Sequence, residues 1–180
     1  METGHIWTAR MESPVGPLTL GATPDGVCLV SFDDHRAALD RLQRHFQCDV
    51  IPGHHPHLDL LQRALSDYFA GRLTSFRVPV VYSGNSFQNR VWEQLRGIPY
   101  GETCSYEKLA QKVGRPRAAR AVGNANGLNR VCILIPCHRV IRKDGTLGGY
   151  GGGLWRKEWL LRLERRVMAE GHIPQALSHH

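Results

Sequence analysis

The chain has 180 residues, 42% hydrophobic and 22% charged, with a formal net charge of +7. That length and apolar share can bury a core without disulfide staples, as one large domain or two small ones. The five cysteines, Cys28, Cys48, Cys104, Cys132 and Cys137, are odd in number and contain no C-x-x-C pair, which fits neither a disulfide framework nor a zinc ribbon and points to a reducing compartment. "METGHIWTARMESPVG" lacks the basic segment and apolar run of a secretory leader, and no stretch approaches the roughly 18 apolar residues of a membrane span. The expectation is a soluble cytoplasmic protein.

Charge is unevenly spread. Residues 1–85 carry seven Lys/Arg and nine Asp/Glu, net −2, whereas residues 86–180 carry sixteen and seven, net +9. Between Glu107 and Asp144 stand nine basic residues and no acidic one, a segment that would attract a polyanion, most commonly nucleic acid.

In chain order, "WTARMESPVGPLTLGATPDGVCLVSF" predicts two or three short strands broken by Pro14, Gly16, Pro17 and the turn Pro24-Asp25-Gly26. Helical spacing follows in Ala37, Ala38, Leu39, Leu42 and Phe46, and again in Leu58, Leu61, Leu65, Tyr68 and Phe69, stopped at Gly71. "SFRVPVVYSGNS" offers a further strand and then a polar linker around Gly84. The expected division is 1–84, a small α/β domain, and 85–180, a mainly helical one, giving an α+β chain.

The second half opens on a helix bearing Phe87, Val91, Trp92 and Leu95, with Ser86 as its expected cap. "SYEKLAQKVGRPRAARAVGNANG" then reads as a helix over Ser105 to Val113, a tight turn, and a second helix over Arg117 to Asn126, the helix-turn-helix pattern. Arg117, Arg120 and Asn124 share one stripe of the second helix, and Ala118, Ala121, Val122 and Ala125 a neighbouring apolar one. Its small residues would let the helix axis approach a partner closely. Two short helices joined by glycine are also ordinary core architecture, so it is the basic run that favours DNA.

"ILIPCHRVI" reads as a strand interrupted at Pro136, which has no N–H for a ladder. A buried cysteine is often mere packing, but Cys137 stands beside His138 and Arg139, charges of the kind that give a thiol thiolate character. Successive strand side chains face opposite ways, so His138 reaches the sulfur directly only if the chain bends, and a bridging water is the easier geometry. In "LWRKEWLLRLERRVM", Trp155, Trp159, Leu160, Leu161, Leu163, Val167 and Met168 make an apolar arc, and Glu164 falls inside it. A carboxylate there needs a partner. Orienting His138 would complete the logic of an activated nucleophile, the alternative being a salt bridge at the helix edge.

Lowering a thiol pKa by about two units raises its thiolate fraction at pH 7 roughly 25-fold, but lost nucleophilicity leaves a net gain of only about fourfold. Positioning the electrophile can contribute about 7 to 11 kcal/mol, so the second half should mainly hold a ligand against the sulfur. "GTLGGYGGG" suits that role, because glycine backbone can approach a planar ligand closely and Tyr150 could stack or hydrogen-bond. A flexible connector is the alternative.

Taken in order, "SYEKLAQKVGRPRAARAVGNANG", "IPCHRV", "GYGGG" and "RKEWLLRLE" resemble the O6-alkylguanine-DNA alkyltransferases, the methylated-DNA–protein-cysteine methyltransferases. The likeness runs over about residues 86–165 and is looser upstream, in "SPVGPLTL" and "YFAGRLTSF". It implies a ribonuclease-H-like domain followed by a winged-helix-like one. It also implies a single-turnover transfer of an alkyl group from O6 of guanine, and from O4 of thymine, to Cys137. His138 is then the base acting through water, Glu164 its orienter, and Asn129 the brace of the active-site turn. The resemblance places Tyr106 against the phosphate beside the lesion and Arg120 in the gap left by the extruded base, with Arg117, Asn124 and Ala119 also at the DNA. Pro136, Tyr150 and Gly151 line the substrate pocket; at Gly151 some relatives carry a hydroxyl residue that contacts the base.

The implied partner is double-stranded DNA bound through its backbone and minor groove by a monomer, with assembly of several copies along DNA left open. No metal and no cofactor are implied, since Cys28, Cys48, His54, His55 and His57 do not match the zinc set of some relatives. These histidines read as a polar loop and His179-His180 as a tail. Two other classes compete: a non-catalytic DNA-binding or damage-flagging protein, and a Cys-His hydrolase, the latter disfavoured because nothing supplies an oxyanion hole.

Overall fold

The computed structural model describes residues 4–171. Two compact units divide the chain, one running to Val81 and the next beginning at Tyr82. Among the described residues no helix is long and apolar enough to cross a membrane.

The first unit is built on a four-stranded sheet in the order β3-β2-β1-β4. β1 (Ile6–Met11), β2 (Leu18–Thr23) and β3 (Gly26–Ser31) form an antiparallel meander, and β4 (Val50–Pro52) joins β1 in parallel. Gly26 takes a φ of 153° at the β2–β3 turn, and a Cβ there would lie 2.7 Å from the Pro79 carbonyl oxygen. α1 (His35–Phe46) starts where the Asp34 side chain accepts the Ala37 amide, and it packs Ala38 and Leu42 against Ile6, Cys28 and Leu29. α2 (Pro56–Phe69) begins with proline in its first turn, the position where a missing N–H costs nothing, and buries Leu58, Leu61, Leu65 and Tyr68. Both helices follow the predicted spacing. The strand expected in "SFRVPVVYSGNS" is reduced to one bridge, Val27 with Val80, next to Pro79, which has no amide to extend a ladder.

The second unit is mostly helical. α3 (Ser86–Arg96) is capped by Asn85 instead of Ser86: the Asn85 side chain accepts the Gln88 amide and Gln88 reaches back to the Asn85 amide. α4 (Tyr106–Lys112) is capped by the Ser105 hydroxyl, and α5 (Ala119–Gly127) follows a turn that contains Gly114 at φ 77°. α3, α4 and α5 pack on one another, and the Trp92 indole donates to the Ala125 carbonyl at 2.9 Å. A two-stranded parallel pair, β5 (Cys104–Ser105) and β6 (Val140–Ile141), ties the start of α4 to the segment after His138. α6 (Leu154–Ala169) closes the unit.

The helix-turn-helix is present with one change: α5 begins at Ala119, so Arg117 lies in the preceding turn and not on the helical stripe. Pro116 and Arg117 are the central residues of a turn closed by the Ala118 amide on the Arg115 carbonyl at 2.9 Å, a place that suits the fixed φ of proline, so the helix begins only after that turn. Arg120 and Asn124 are exposed on α5, Ala119 is half-exposed, and Val122 and Ala125 are buried.

Candidate active site

The run expected as a strand is a tight, buried turn. Ile133 adopts a left-handed φ of 72°, the Leu134 amide donates to the Cys132 carbonyl at 2.9 Å, and the Ile135 amide to Val131 at 3.0 Å. Asn129 pins this turn from inside, its Nδ2 donating to the Ile135 carbonyl at 2.7 Å and its Oδ1 accepting the Val131 amide at 3.0 Å. After buried Pro136 the backbone coils into a 3-10 turn, Cys137–Arg139, so Cys137 and His138 do not alternate across a strand. Asn126, at the end of α5, donates to the Cys137 carbonyl at 3.4 Å.

Glu164 is fully buried on α6 and meets His138 and Arg139 together. His138 Nε2 lies 2.6 Å from Oε2, Arg139 Nε 2.7 Å from Oε1 and Arg139 Nη2 3.2 Å from Oε2, while the Gly101 amide donates to Oε1 at 3.1 Å. Burial alone would raise the Glu164 carboxyl, but His138 and Arg139 together hold it well below the usual carboxylate range. An ionised carboxylate can only accept, so His138 donates from Nε2 and keeps the lone pair on Nδ1. That Nδ1 is buried and has no hydrogen-bond partner among the described residues. Burial pushes the His138 pKa down against the pull of Glu164, so the ring is a neutral base, fixed in one tautomer.

Cys137 differs from Cys28, Cys48 and Cys104. Burial drives Cys28 up to about 12 and also raises Cys48 and Cys104. The Cys137 thiol goes down: a hydrogen bond from the Cys132 side chain does most, burial opposes it, and the Asn129 and Tyr150 side chains and the charge of Lys157 add to the lowering. Iodoacetamide labelling of Cys137 should therefore titrate with a midpoint below the ordinary thiol value of about 8.5. Since the thiolate reacts, labelling slows as pH falls through that midpoint, and Cys132→Ala should move it up. An ordinary midpoint in the wild type would contradict the hydrogen-bonded thiolate.

Lys157 is a member of the site that sequence reasoning missed. It is fully buried, and its Nζ donates to the Leu147 and Gly149 carbonyls, the second at 3.1 Å. Burial brings its pKa down to about 8 against the opposing pull of Cys137. Trp155 and Met168, expected in the apolar arc, are instead 53% and 42% exposed. The available signal was the spacing of Lys157 with Leu160, Leu161 and Glu164 at i+3, i+4 and i+7, which puts it on the buried stripe.

The glycine loop is thus anchored to α6 by a lysine, and Arg156 holds it again by donating to the Gly152 carbonyl at 2.7 Å. Gly151 is exposed in this loop, and the half-buried Tyr150 beside it is among the side chains that lower the Cys137 thiol. Tyr106, at the first position of α4, is half-buried between Gly123 of α5 and Gly148 of the loop. A Cβ on Gly148 would lie 3.0 Å from the Tyr106 hydroxyl at a φ of 71°, whereas one on Gly123 would make an ordinary 3.6 Å contact. Gly148→Ala should therefore lower the melting temperature clearly while Gly123→Ala changes it little, as thermal denaturation would read. Equal effects would mean that the loop does not rest on Tyr106.

The remaining candidates are accounted for locally. His55 stacks on Trp7 with centroids 4.7 Å apart, and His54 faces Asp59 at 3.7 Å. Among the described residues no group of three His, Cys, Asp or Glu could hold a metal ion. His179-His180 lie outside the described residues.

Comparison with known proteins matches both units. Residues 6–82 match the ribonuclease-like domain of 6-O-methylguanine DNA methyltransferase and residues 86–166 its DNA-binding domain. The chain is 45% identical over 155 residues to the methylated-DNA–protein-cysteine methyltransferase of Mycobacterium bovis, covering 86% of this chain and 90% of that one. It is similar to the crystal structure of Mycobacterium tuberculosis O6-methylguanine methyltransferase, with a TM-score of 0.75 and 40% identity over 89% of this chain and 93% of the other. The M. tuberculosis OGT in complex with DNA gives a TM-score of 0.75 at 38% identity, covering 97% and 96% of the two chains. With both family models matched in order, and relatives of this identity along most of its length, the chain belongs to the 6-O-methylguanine DNA methyltransferase family, the enzymes of direct DNA damage reversal.

Proposed function

We propose that this chain repairs O6-alkylguanine, and O4-alkylthymine, in double-stranded DNA by taking the alkyl group onto Sγ of Cys137, once per molecule. The observation that carries the reading is a buried cysteine in a turn braced by Asn129, followed by a histidine whose Nε2 is held by buried Glu164 at 2.6 Å and whose Nδ1 is unspent; the neighbours of Cys137 hold its thiol below the ordinary value. Burial without such partners would raise a thiol, as it does at Cys28.

His138 takes the Cys137 proton on Nδ1 through one intervening water, and Glu164 stabilises the resulting imidazolium while Arg139 keeps the carboxylate ionised. The thiolate attacks the alkyl carbon, the carbon–oxygen bond breaks, and the electron pair goes to O6. The released base recovers a proton on its ring and becomes guanine. A thioether remains, which water does not cleave, so the protein is consumed. Asn129 and Asn126 hold the turn that presents the sulfur, Tyr150 and Lys157 stabilise its charge, and Pro136, Tyr150 and Gly151 border the pocket.

A base stacked in a duplex cannot reach a buried sulfur, so it must be extruded, at a cost of a few kcal/mol. Arg120, exposed on α5, fills the vacancy, and Tyr106 bears on the adjacent phosphate. Asn124 and Ala119 lie on the same helix, whose small residues fit a minor groove, and Arg117 contacts backbone from the turn before it. The protein works as a monomer in the cytoplasm. Arg120→Ala should slow transfer from duplex more than transfer from free O6-alkylguanine base; equal losses would remove Arg120 from the gap. The function itself is tested with a duplex labelled on the O6-methyl group. The label bound to protein should level off at one per molecule and be lost in Cys137→Ala. Continued release of label into solution would mean a turning-over hydrolase, and binding without label a damage-flagging protein.

A further inference from the structure

Asn126 places a buried, unmatched acceptor against the residue that carries the reacting sulfur. It stands in the last turn of α5, is 5% exposed, and its Nδ2 donates to the Cys137 carbonyl at 3.4 Å. That bond fixes the amide, since the flipped side chain would set oxygen against oxygen. Its Oδ1 is buried and has no hydrogen-bond partner among the described residues. The side-chain donors around it are committed elsewhere: Asn129 Nδ2 to the Ile135 carbonyl, the Trp92 indole to the Ala125 carbonyl and His138 Nε2 to Glu164. Buried polar groups are nearly always paired, so an unmatched acceptor in a site that takes a ligand calls for a donor on that ligand. His138 Nδ1, also unmatched, has its role in receiving the Cys137 proton.

We infer that Asn126 Oδ1 accepts a hydrogen bond from the 2-amino group of the extruded guanine, and so makes the protein select guanine lesions over thymine lesions. The inference rests on the repair reading above. Alkylation at O6 removes the proton from N1, which leaves the 2-amino group as the only donor on the base. That group shares its edge of the ring with O6. A base that presents its alkyl carbon to Sγ of Cys137 therefore brings this donor to the same turn, where Asn126 meets the Cys137 backbone. O4-alkylthymine offers nothing equivalent: N3 loses its proton on alkylation and N1 carries the sugar. With thymine in the site Oδ1 stays buried and unpaired, and a site built to pair with a substrate N–H rejects the base that lacks it.

Taking the amino group off the substrate tests this without altering the protein. Second-order rates of methyl transfer are measured for duplexes carrying O6-methylguanine or O6-methylhypoxanthine, which differ only in that group, with wild type and Asn126→Leu. Wild type should react about 3- to 10-fold more slowly with the hypoxanthine lesion, the range of one neutral hydrogen bond. Asn126→Leu should react with the two at similar rates. The amino group's effect on the duplex is common to both proteins and cancels when their preferences are compared, as does any loss of folded protein in the variant. Asn126→Asp, which keeps an acceptor oxygen at this position, should retain the preference whatever its absolute rate. A wild type indifferent to the amino group, or an equal preference in wild type and Asn126→Leu, would overturn the inference and leave the repair reading standing. No transfer to wild type from either duplex would overturn both.

Discussion

Glu164→Gln should destabilise the second unit by about 3–5 kcal/mol, the cost of leaving one partner of a buried ion pair uncompensated. Four donors converge on this carboxylate, and Arg139 has nowhere else to discharge: its Nη1 is bound to the Ile98 carbonyl at 2.7 Å and its guanidinium lies 5.6 Å from the centre of the Tyr100 ring. Glutamine keeps the shape but removes the charge and offers one acceptor oxygen where two are used. For a unit of this size that loss is a fall in melting temperature of at least about 10 °C. The pH dependence separates charge from shape. The Glu164 carboxyl is depressed in the folded state, so its contribution is complete above the unfolded value near 4.3 and is lost as pH falls towards the folded one. Wild type and variant should therefore converge in acid and diverge towards neutrality. A gap that stays constant with pH would mean that packing at Glu164, not its charge, holds the unit.

The same substitution should slow methyl transfer beyond what lost stability explains, because His138 loses the group that fixes its tautomer and shares its positive charge. Single-turnover rates measured well below the variant's melting temperature isolate that effect. Unchanged rates would leave Glu164 a structural anchor.

The second large effect belongs to Cys137→Ser. Replacing one sulfur by oxygen at a buried position changes little of the packing, and affinity for duplex DNA should stay within about 0.5 kcal/mol of wild type. Transfer should disappear. A serine hydroxyl is not ionised in any usable fraction by a neutral imidazole, and the oxygen offers an alkyl carbon a far poorer nucleophile than a thiolate. Retained binding with absent transfer in one variant would divide recognition, which we assign to α5 and Tyr106, from chemistry, which we assign to the turn. Residual transfer in the serine variant would place the acceptor elsewhere.

Much of this site is visible in the amino-acid pattern. Glu164 announces itself as an acid inside an apolar arc, Cys137 as a thiol between a proline and a histidine, and α4 and α5 as short helices around a Gly-Arg-Pro turn. What the pattern hides is set by backbone carbonyls and by tertiary partners. An apolar run such as "VCILIPCHRVI" reads as a strand, because periodicity cannot register a left-handed Ile133 or an asparagine that captures the carbonyl of Ile135. Lys157 is buried because loop carbonyls receive it, and no residue type reports where a carbonyl points. Trp155 stays exposed, with the Arg156 guanidinium 4.6 Å from the centroid of its ring, a contact that an apolar count along the helix does not register. Arg139 as the second partner of Glu164 likewise depends on the 3-10 turn that points it and His138 at the same carboxylate.

The central claim concerns the fate of one sulfur, and weighing the intact protein before and after incubation with a duplex containing O6-methylguanine tests it most directly. The account predicts a gain of one CH2 per molecule, mapped to Cys137 in the Val131–Arg139 peptide, with plain guanine left in the DNA. A protein of unchanged mass after the lesion has been repaired, or a methyl group found on any other residue, would contradict it.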